Sequence, residues 1–339
     1  MFSRYAFFGV YIPYEQSTPS QIIPAIPVTF SWFKIIRTIP VTQTQTPNLL
    51  LLGFPRCGTT ALAYALGKHP DIFCCEPKEP HFLAFNGSAT AIEGPGAEAF
   101  SKQRIYQQND WQALFKDQPE KYLLDASVTT ISYPEIALKS IDKHCSAGTK
   151  AIVMLRDPVD RAYSSYLYNL SRGWEAGTFE KGLEEENARR DSNWQHLWFF
   201  TWLSQYQDRM RPFKEYFGDK NICYVSSEQF QSDAQATLDQ IYNFLDISSF
   251  AVDTSKRINA GGKPKSQLIS TATRAIRQVP CLHKIAKKVT SRSLRERIRN
   301  SNLSSPEMAA GTRERLQTCL LYTSPSPRDR TRSRMPSSA

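Results

Sequence analysis

The chain has 339 residues, 41% of them hydrophobic, which suits one large domain or a domain with appendages and excludes a disordered or repeat architecture. A formal net charge of +10 invites an anionic partner, but no recognised nucleic-acid motif accompanies it, so no nucleic acid is expected. Tyr5–Tyr14 is apolar but falls far short of the roughly 20 residues that span a bilayer, and Ile22–Ile36 is broken by Pro24, Pro27 and Lys34. A membrane anchor is therefore expected only if the native N-terminus lies upstream of Met1.

Residues 1–46 are rich in Pro, Thr and Gln and read as a lead-in arm. From Asn48 the pattern predicts a strand at Leu49–Leu52, a helix at Thr60–Lys68 and a short strand at Ile72–Cys74. Asn86–Ala97 reads as a loop, followed by a helix around Trp111–Phe115, a strand at Tyr122–Leu124 and a helix at Pro134–His144. Next come a strand at Ala151–Leu155 and a helix that starts near Val159. A charged helix is expected at Phe179–Arg190 and an aromatic one at Trp194–Tyr216, then a strand at Ile222–Val225 and a helix at Ala234–Leu245. Strands alternating with helices predict a P-loop-like three-layer α/β/α fold with a central, mostly parallel sheet. The main domain is read as residues 47–300, with a C-terminal segment at 301–318. Residues 319–339 (CLLYTSPSPRDRTRSRMPSSA) resemble an in-frame translation of a sequencing-library adapter and are set aside. Without them the charge falls to +7, because four Arg and one Asp leave. Of the cysteines that remain, none forms a CxxC pair or a Cys/His cluster with metal spacing, and no metal is expected.

Two stretches carry the chemistry. In LLLLGFPRCGTTALAYAL, Gly53 and Gly58 are spaced as in the phosphate-binding loop GxxxxGK[ST]. Such a turn aims backbone N–H groups and the positive end of a helix at one point, which suits a phosphate. Thr59 stands where that motif requires Lys, and a cation sits inside the loop as Arg56. An ATP/Mg site is therefore not the first choice. In AIVMLRDPVDRAYSSYLY, Arg156 ends a buried strand and Ser164 lies on the helix that follows. Asp157 and Pro158 are suited to start that helix. An Arg and a hydroxyl beside the first loop would hold a second phosphate group. A local ion pair between Arg156 and Asp157 is the alternative.

A nucleotide with two phosphate positions and no Mg-type lysine motif points to 3′-phosphoadenosine 5′-phosphosulfate (PAPS). Here the chain resembles the PAPS-dependent sulfotransferases, in their carbohydrate-modifying branch of chondroitin N-acetylgalactosamine and heparan type. GFPRCGTTAL is similar to the 5′-phosphosulfate loop, the Arg156/Ser164 pair to the 3′-phosphate site, and Lys263 and Lys265 in RINAGGKPKS to the late loop that closes over the nucleotide. KEPHF at Lys78–Phe82 and SSEQF–FLDI at Ser226–Ile247 extend the resemblance from about Asn48 to about Ser266.

The resemblance implies that PAPS is the cofactor and PAP the product, with a glycan or other hydroxyl acceptor as partner. Backbone N–H groups of Cys57, Gly58, Thr59 and Thr60, with the two threonine hydroxyls, would hold the 5′-phosphate, and Arg56 would stabilise the leaving oxygen. Glu79 matches the family's general base, with His81 as runner-up. One departure stands out: heparan-type members carry Glu-Lys-Ser where this chain has Asp125-Ala126-Ser127, so their catalytic Lys is absent. Asp125 and Ser127 are weaker candidates for acceptor or cofactor contact. Acceptor-binding loops are expected at Asn86–Gln108 and Gly173–Asn193. The basic stretch Arg274–Arg299 is either a solvated helix face or a patch for a polyanionic glycan. The compartment expected is the Golgi lumen as a type II membrane protein if an anchor precedes Met1, and otherwise the cytoplasm. A non-catalytic PAP- or glycan-binding protein and an ATP-dependent kinase of the same fold are the competing functions.

Overall fold

Four leucines in a row, Leu49–Leu52, make a strand with no solvent face, and each is at most 1% exposed. Such a continuous apolar run is what a parallel sheet covered on both sides requires. The computed structural model describes residues 45–254, 263–264, 303–304 and 308–321. Its five main strands are β1 (Leu49–Leu51), β2 (Ile72–Cys74), β3 (Tyr122–Asp125), β4 (Lys150–Leu155) and β5 (Ile222–Ser226). They pair in the order β2-β3-β1-β4-β5, all in parallel, with helices covering the sheet in a three-layer α/β arrangement. The chain leaves β1 for one edge, returns through β3, and then builds β4 and β5 on the other side. The strand order thus reverses at β1, and the crevice beyond the carboxyl ends of β3, β1 and β4 is where such sheets bind ligands.

The helices in the first half are α1 (Thr59–Leu66), α2 (Phe82–Phe85), α3 (Ala97–Ser101), α4 (Gln108–Ala113) and α5 (Pro134–His144). After β4 comes α6 (Pro158–Arg172), which begins as its sequence suggests: Asp157 accepts a hydrogen bond from the Asp160 amide at 2.9 Å, and Pro158 occupies the first turn. It ends at Gly173, whose φ of 68° is left-handed.

Two expected helices are built differently. Phe179–Arg190 is not one helix but two, α7 (Phe179–Glu184) and α8 (Glu186–Asp191), joined at Glu185. The turn there accompanies an inward Glu186, whose carboxylate accepts from the Thr201 amide, the Thr201 hydroxyl and the Trp202 amide, each at 2.8 Å. Trp194–Tyr216 is helical only from Tyr206, as α9 (Tyr206–Phe217), preceded by short 3-10 turns at His196–Trp198 and Trp202–Ser204. The carbonyls that a helix would have used are taken by side chains of α6. Ser165 and Asn169 donate to Leu197 O, and the fully buried Arg161 donates to Phe199 O and Phe200 O and, through Nε, to Ser204 Oγ at 2.7 Å. Six Trp, Phe and Tyr side chains within residues 194–206 mimic a helix buried all round, but the hydrogen bonds show a wedge held by its neighbour.

The remaining elements are α10 (Ser227–Ser232), α11 (Ala234–Leu245), the two-residue strands β6 (Lys263–Pro264) and β7 (Leu303–Ser304), and α12 (Ala310–Leu321). β6 pairs antiparallel with β7 and runs beside α6. α12 docks on the same helix, with Arg313 bonded to Asp160 at 2.7 Å and with Leu316 and Leu320 buried. Its last turn thus includes the first residues of the adapter-like segment.

A buried ion pair ties α8 to the loop after α6: Arg189 Nη1 lies 2.8 Å from Glu175 Oε2, and both side chains are at most 7% exposed. Removing one partner of such a pair strands a buried charge. Arg189→Ala is expected to cost about 3–5 kcal/mol, read as a lowered urea midpoint at unchanged m-value.

Candidate functional site

The loop after β1 turns in very little space. A Cβ at Gly53 would run into the Thr59 methyl and approach Met154 Cβ to 3.2 Å, so only glycine lets the helix start this close to the sheet. Arg56 and Gly58 both adopt left-handed backbone, with φ of 74° and 98°. Gly58 is the N-cap of α1, and no side chain caps that end. The first intrahelical bonds run from Ala61 and Leu62 to Gly58 O, so the amides of Gly58, Thr59 and Thr60 precede the ladder and form the helix's positive end. Cys57 corrects the expectation: its amide is used within the loop, bonded to Phe54 O at 3.2 Å. Its thiol is fully buried against the Tyr206 hydroxyl at 3.8 Å, and burial pushes it up to about 11. Thr59 packs inward, with 4% exposure, whereas Thr60 is half-buried.

Arg56 links this loop to α6. Its Nε lies 3.4 Å from Ser164 Oγ, its guanidinium covers the Tyr168 ring at 4.7 Å, and its carbonyl accepts from Arg156 Nη1 at 3.3 Å. Arg156 is therefore turned toward the first loop, and Asp157 is engaged in capping. Arg172 lies over the same Tyr168 ring at 4.9 Å. Ser164, Tyr168 and Arg172 follow at four-residue intervals, so one face of α6 carries all three beside the loop. Lys263 lies in β6, beside α6, while Lys265 and the basic stretch Arg274–Arg299 are outside the described residues.

The KEPHF segment crosses the carboxyl ends of β2 and β3. Glu79 retains 27% side-chain exposure and pairs with Lys78 at 2.5 Å. Burial by itself would raise its carboxyl, but Lys78 and then His81 outweigh it and hold Glu79 below the ordinary value. His81 is only 4% exposed, with φ of 60°. That left-handed backbone is held by Ser127 Oγ, which accepts the His81 amide at 3.1 Å, and Nδ1 meets Thr129 Oγ1 at 3.0 Å. Burial depresses His81 to about 4, so the ring is neutral at pH 7. Asp125 is turned inward rather than toward a ligand: Oδ1 accepts from the Ser127 amide and Oδ2 from the Trp111 indole, both at 3.0 Å. With Ser127 it braces the KEPHF turn.

His196 was not legible as part of this site, because it sits in an aromatic run that reads as core. Its buried ring faces Glu79 and His81, stands edge-on to Phe100 at 5.5 Å, and is depressed by burial to about 3. The two loops expected to shape an acceptor pocket are joined here. The Glu93 amide bonds to Asn193 O at 2.9 Å, and the Gln195 side chain and Trp198 indole donate to Pro95 O at 2.8 and 3.1 Å. Trp174 and Trp194 lie so close to the Gly94–Gly96 turn that a Cβ at either glycine would meet an indole ring.

The model of the Sulfotransferase family matches residues 47–251, more than half of the chain. The chain belongs to the sulfotransferase family. Human heparan sulfate glucosamine 3-O-sulfotransferase 3B1 is 26% identical over 212 residues, covering 62% of this chain and 48% of that protein. Mouse carbohydrate sulfotransferase 15 is 23% identical over 247 residues, covering 59% of this chain and 44% of that one. This sulfotransferase chain thus spans about half the length of the curated relatives it matches. A solved sulfotransferase from Alicyclobacillus acidocaldarius superposes with a TM-score of 0.59 at 26% identity, covering 74% of this chain and 99% of that one.

The two buried histidines make stability depend on pH. Both are depressed below the ordinary 6.5, so the unfolded chain binds protons that the native one does not as pH falls from about 6.5 toward 4. Their contribution is complete above the unfolded value and is lost on acidification, at up to about 1.4 kcal/mol per pH unit for each histidine. The denaturant midpoint is expected to fall from pH 7 to pH 4.5, and less steeply in His196→Asn.

Proposed function

We propose that this chain is a PAPS-dependent sulfotransferase that delivers a sulfuryl group to a hydroxyl of a carbohydrate, glycosaminoglycan-like acceptor. The observation that carries the reading is the junction of the two motifs. The uncapped end of α1 and Arg56 meet Ser164 and Arg156, so donors for two phosphate groups converge across 100 residues of sequence. The donor set fits PAPS: helix-end amides and a loop cation for one phosphate, a guanidinium and a hydroxyl for the other. Thr59 at the position of the P-loop lysine speaks against an ATP/Mg kinase. The names of the relatives support a carbohydrate acceptor.

When bound, PAPS would supply an activated sulfuryl group on a phosphate leaving group. The amides of Gly58, Thr59 and Thr60 and the Thr60 hydroxyl hold the 5′-phosphate, and Arg56 neutralises the charge that grows on its oxygen. Arg156 and Ser164 hold the 3′-phosphate, and β6 at Lys263–Pro264, beside α6, belongs to the segment that covers the nucleotide. Glu79 takes the proton of the acceptor hydroxyl. It is preferred to His81 because its carboxylate is reachable, whereas the His81 ring is enclosed and engaged by Thr129. The loops around Pro95 and Trp174 form the acceptor wall. A carbohydrate acceptor points to the Golgi lumen; no described helix is long and apolar enough to cross a membrane.

Three measurements test the proposal. PAP is expected to raise the thermal midpoint while ATP/Mg and ADP do not, and a rise with ATP/Mg alone would overturn it in favour of a kinase. Arg156→Ala should abolish most of the PAP-induced shift; an undiminished shift removes the 3′-phosphate assignment. With PAPS and an accepted glycan, Glu79→Gln should lower turnover about 10²–10⁴-fold and leave PAP binding intact. Unchanged turnover would move the base elsewhere.

A further inference from the structure

Position 126, the residue just after β3, is an alanine, which brings no charge to the carboxyl edge of the sheet. A cation arrives there from the turn that follows β2. Lys78 reaches from the KEPHF turn, and its ammonium is held at two points, 2.5 Å from Glu79 Oε1 and 3.2 Å from the carbonyl oxygen of Ala126. The second contact separates this pair from an ordinary surface ion pair. A free lysine must surrender side-chain entropy to hold a neighbouring carboxylate, which is why exposed pairs contribute little. Here the ammonium is fastened to the backbone of the fully buried Ala126, just beyond β3, and the Lys78 side chain is only 19% exposed.

The other charged and titratable groups around Glu79 leave Lys78 as its formal counter-charge. On the same turn lies His81, from the 3-10 turn comes His196, and at the end of β3 sits the carboxyl of Asp125; Arg104 faces His81. Both histidines are neutral at pH 7, held down by burial to about 4 and about 3. Asp125 is of the wrong sign to help. Among the described groups facing Glu79, the permanent positive charge is that of Lys78.

We propose that Lys78 is the positioning residue of the proton-accepting carboxylate: anchored on Ala126 O, it fixes the orientation of Glu79 and supplies its counter-charge. This rests on the reading of Glu79 as the base. When the acceptor hydroxyl gives its proton to Glu79, the carboxylate becomes neutral, and the pair passes from net zero to one positive charge. The unbalanced ammonium then favours release of that proton to solvent, which restores the ionised base.

The test is titration of the Glu79 carboxyl in the full chain labelled with ¹³C-carboxyl glutamate, its resonance assigned by loss in Glu79→Gln. Lys78→Met should raise the Glu79 midpoint by about one pH unit or more, and Lys78→Arg should restore much of the difference. An unchanged midpoint in Lys78→Met, in protein that keeps its PAP-induced thermal shift, overturns the proposal. Lys78→Gln, one atom shorter but still carrying an N–H donor for Ala126 O, separates charge from anchoring. If it raises the midpoint like Lys78→Met while the PAP shift survives, the counter-charge role stands. If both variants lose the PAP shift, Lys78 is a structural anchor and the proposal falls. Absence of a PAP shift in the wild-type chain would sink the sulfotransferase reading instead, and the midpoint comparison would still decide whether Lys78 controls Glu79.

Discussion

A side chain at position 53 would have no room, and from that constraint much of the site follows. β1 is buried on both faces, and the chain must leave it and enter α1 directly above the sheet. Gly53 allows Thr59 to pack where a Cβ would otherwise be, with Met154 of β4 close behind. Tight packing on both sides forces the intervening residues outward. Arg56 and Gly58 accordingly take left-handed backbone, which turns the Arg56 side chain toward α6 and leaves the first amides of α1 directed into the crevice. The anion site proposed at this loop would thus be a consequence of how closely a helix approaches a sheet.

Helix α6 is the second organising element, because its faces serve different tasks. One carries Ser164, Tyr168 and Arg172 beside the loop between β1 and α1. Another buries Arg161, Ser165 and Asn169, whose hydrogen bonds hold residues 197–204 out of helical geometry. That irregular segment brings His196 within electrostatic reach of Glu79 and joins the Pro95 turn to the aromatic wall. The two phosphate-type motifs and the surroundings of Glu79 are therefore registered to one helix, as the proposed transfer between two bound molecules requires.

How much was legible depended on whether a feature is local. The parallel sheet, the glycine-spaced turn, and the cap and proline that start α6 all follow from neighbours in sequence, and the structure shows them close to the expected residues. Trp194–Tyr206 was misread as helix because periodicity cannot distinguish a helix buried all round from a wedge whose carbonyls are satisfied by another element. Phe179–Arg190 was misread because nothing local reveals that Glu186 turns inward to cap Thr201 and Trp202. Asp125 was a candidate for ligand contact until its oxygens were found engaged by Trp111 and Ser127.

By itself the sequence determined the fold class, the order of its elements and the two phosphate-type motifs, since these depend on hydrophobic period, turn chemistry and spacing along the chain. Only the tertiary structure decided which groups meet: that Arg56 joins Ser164 and Arg156, that the Cys57 amide is spent inside its own loop, and that His196 completes the Glu79 cluster. It also decided that the cation beside the end of β3 comes from Lys78, 48 residues away in sequence from the alanine whose carbonyl it touches. The physical reason is the same in each case. Propensity and pattern act over a few residues, whereas burial, charge balance and hydrogen-bond satisfaction are settled by whatever the folded chain brings alongside.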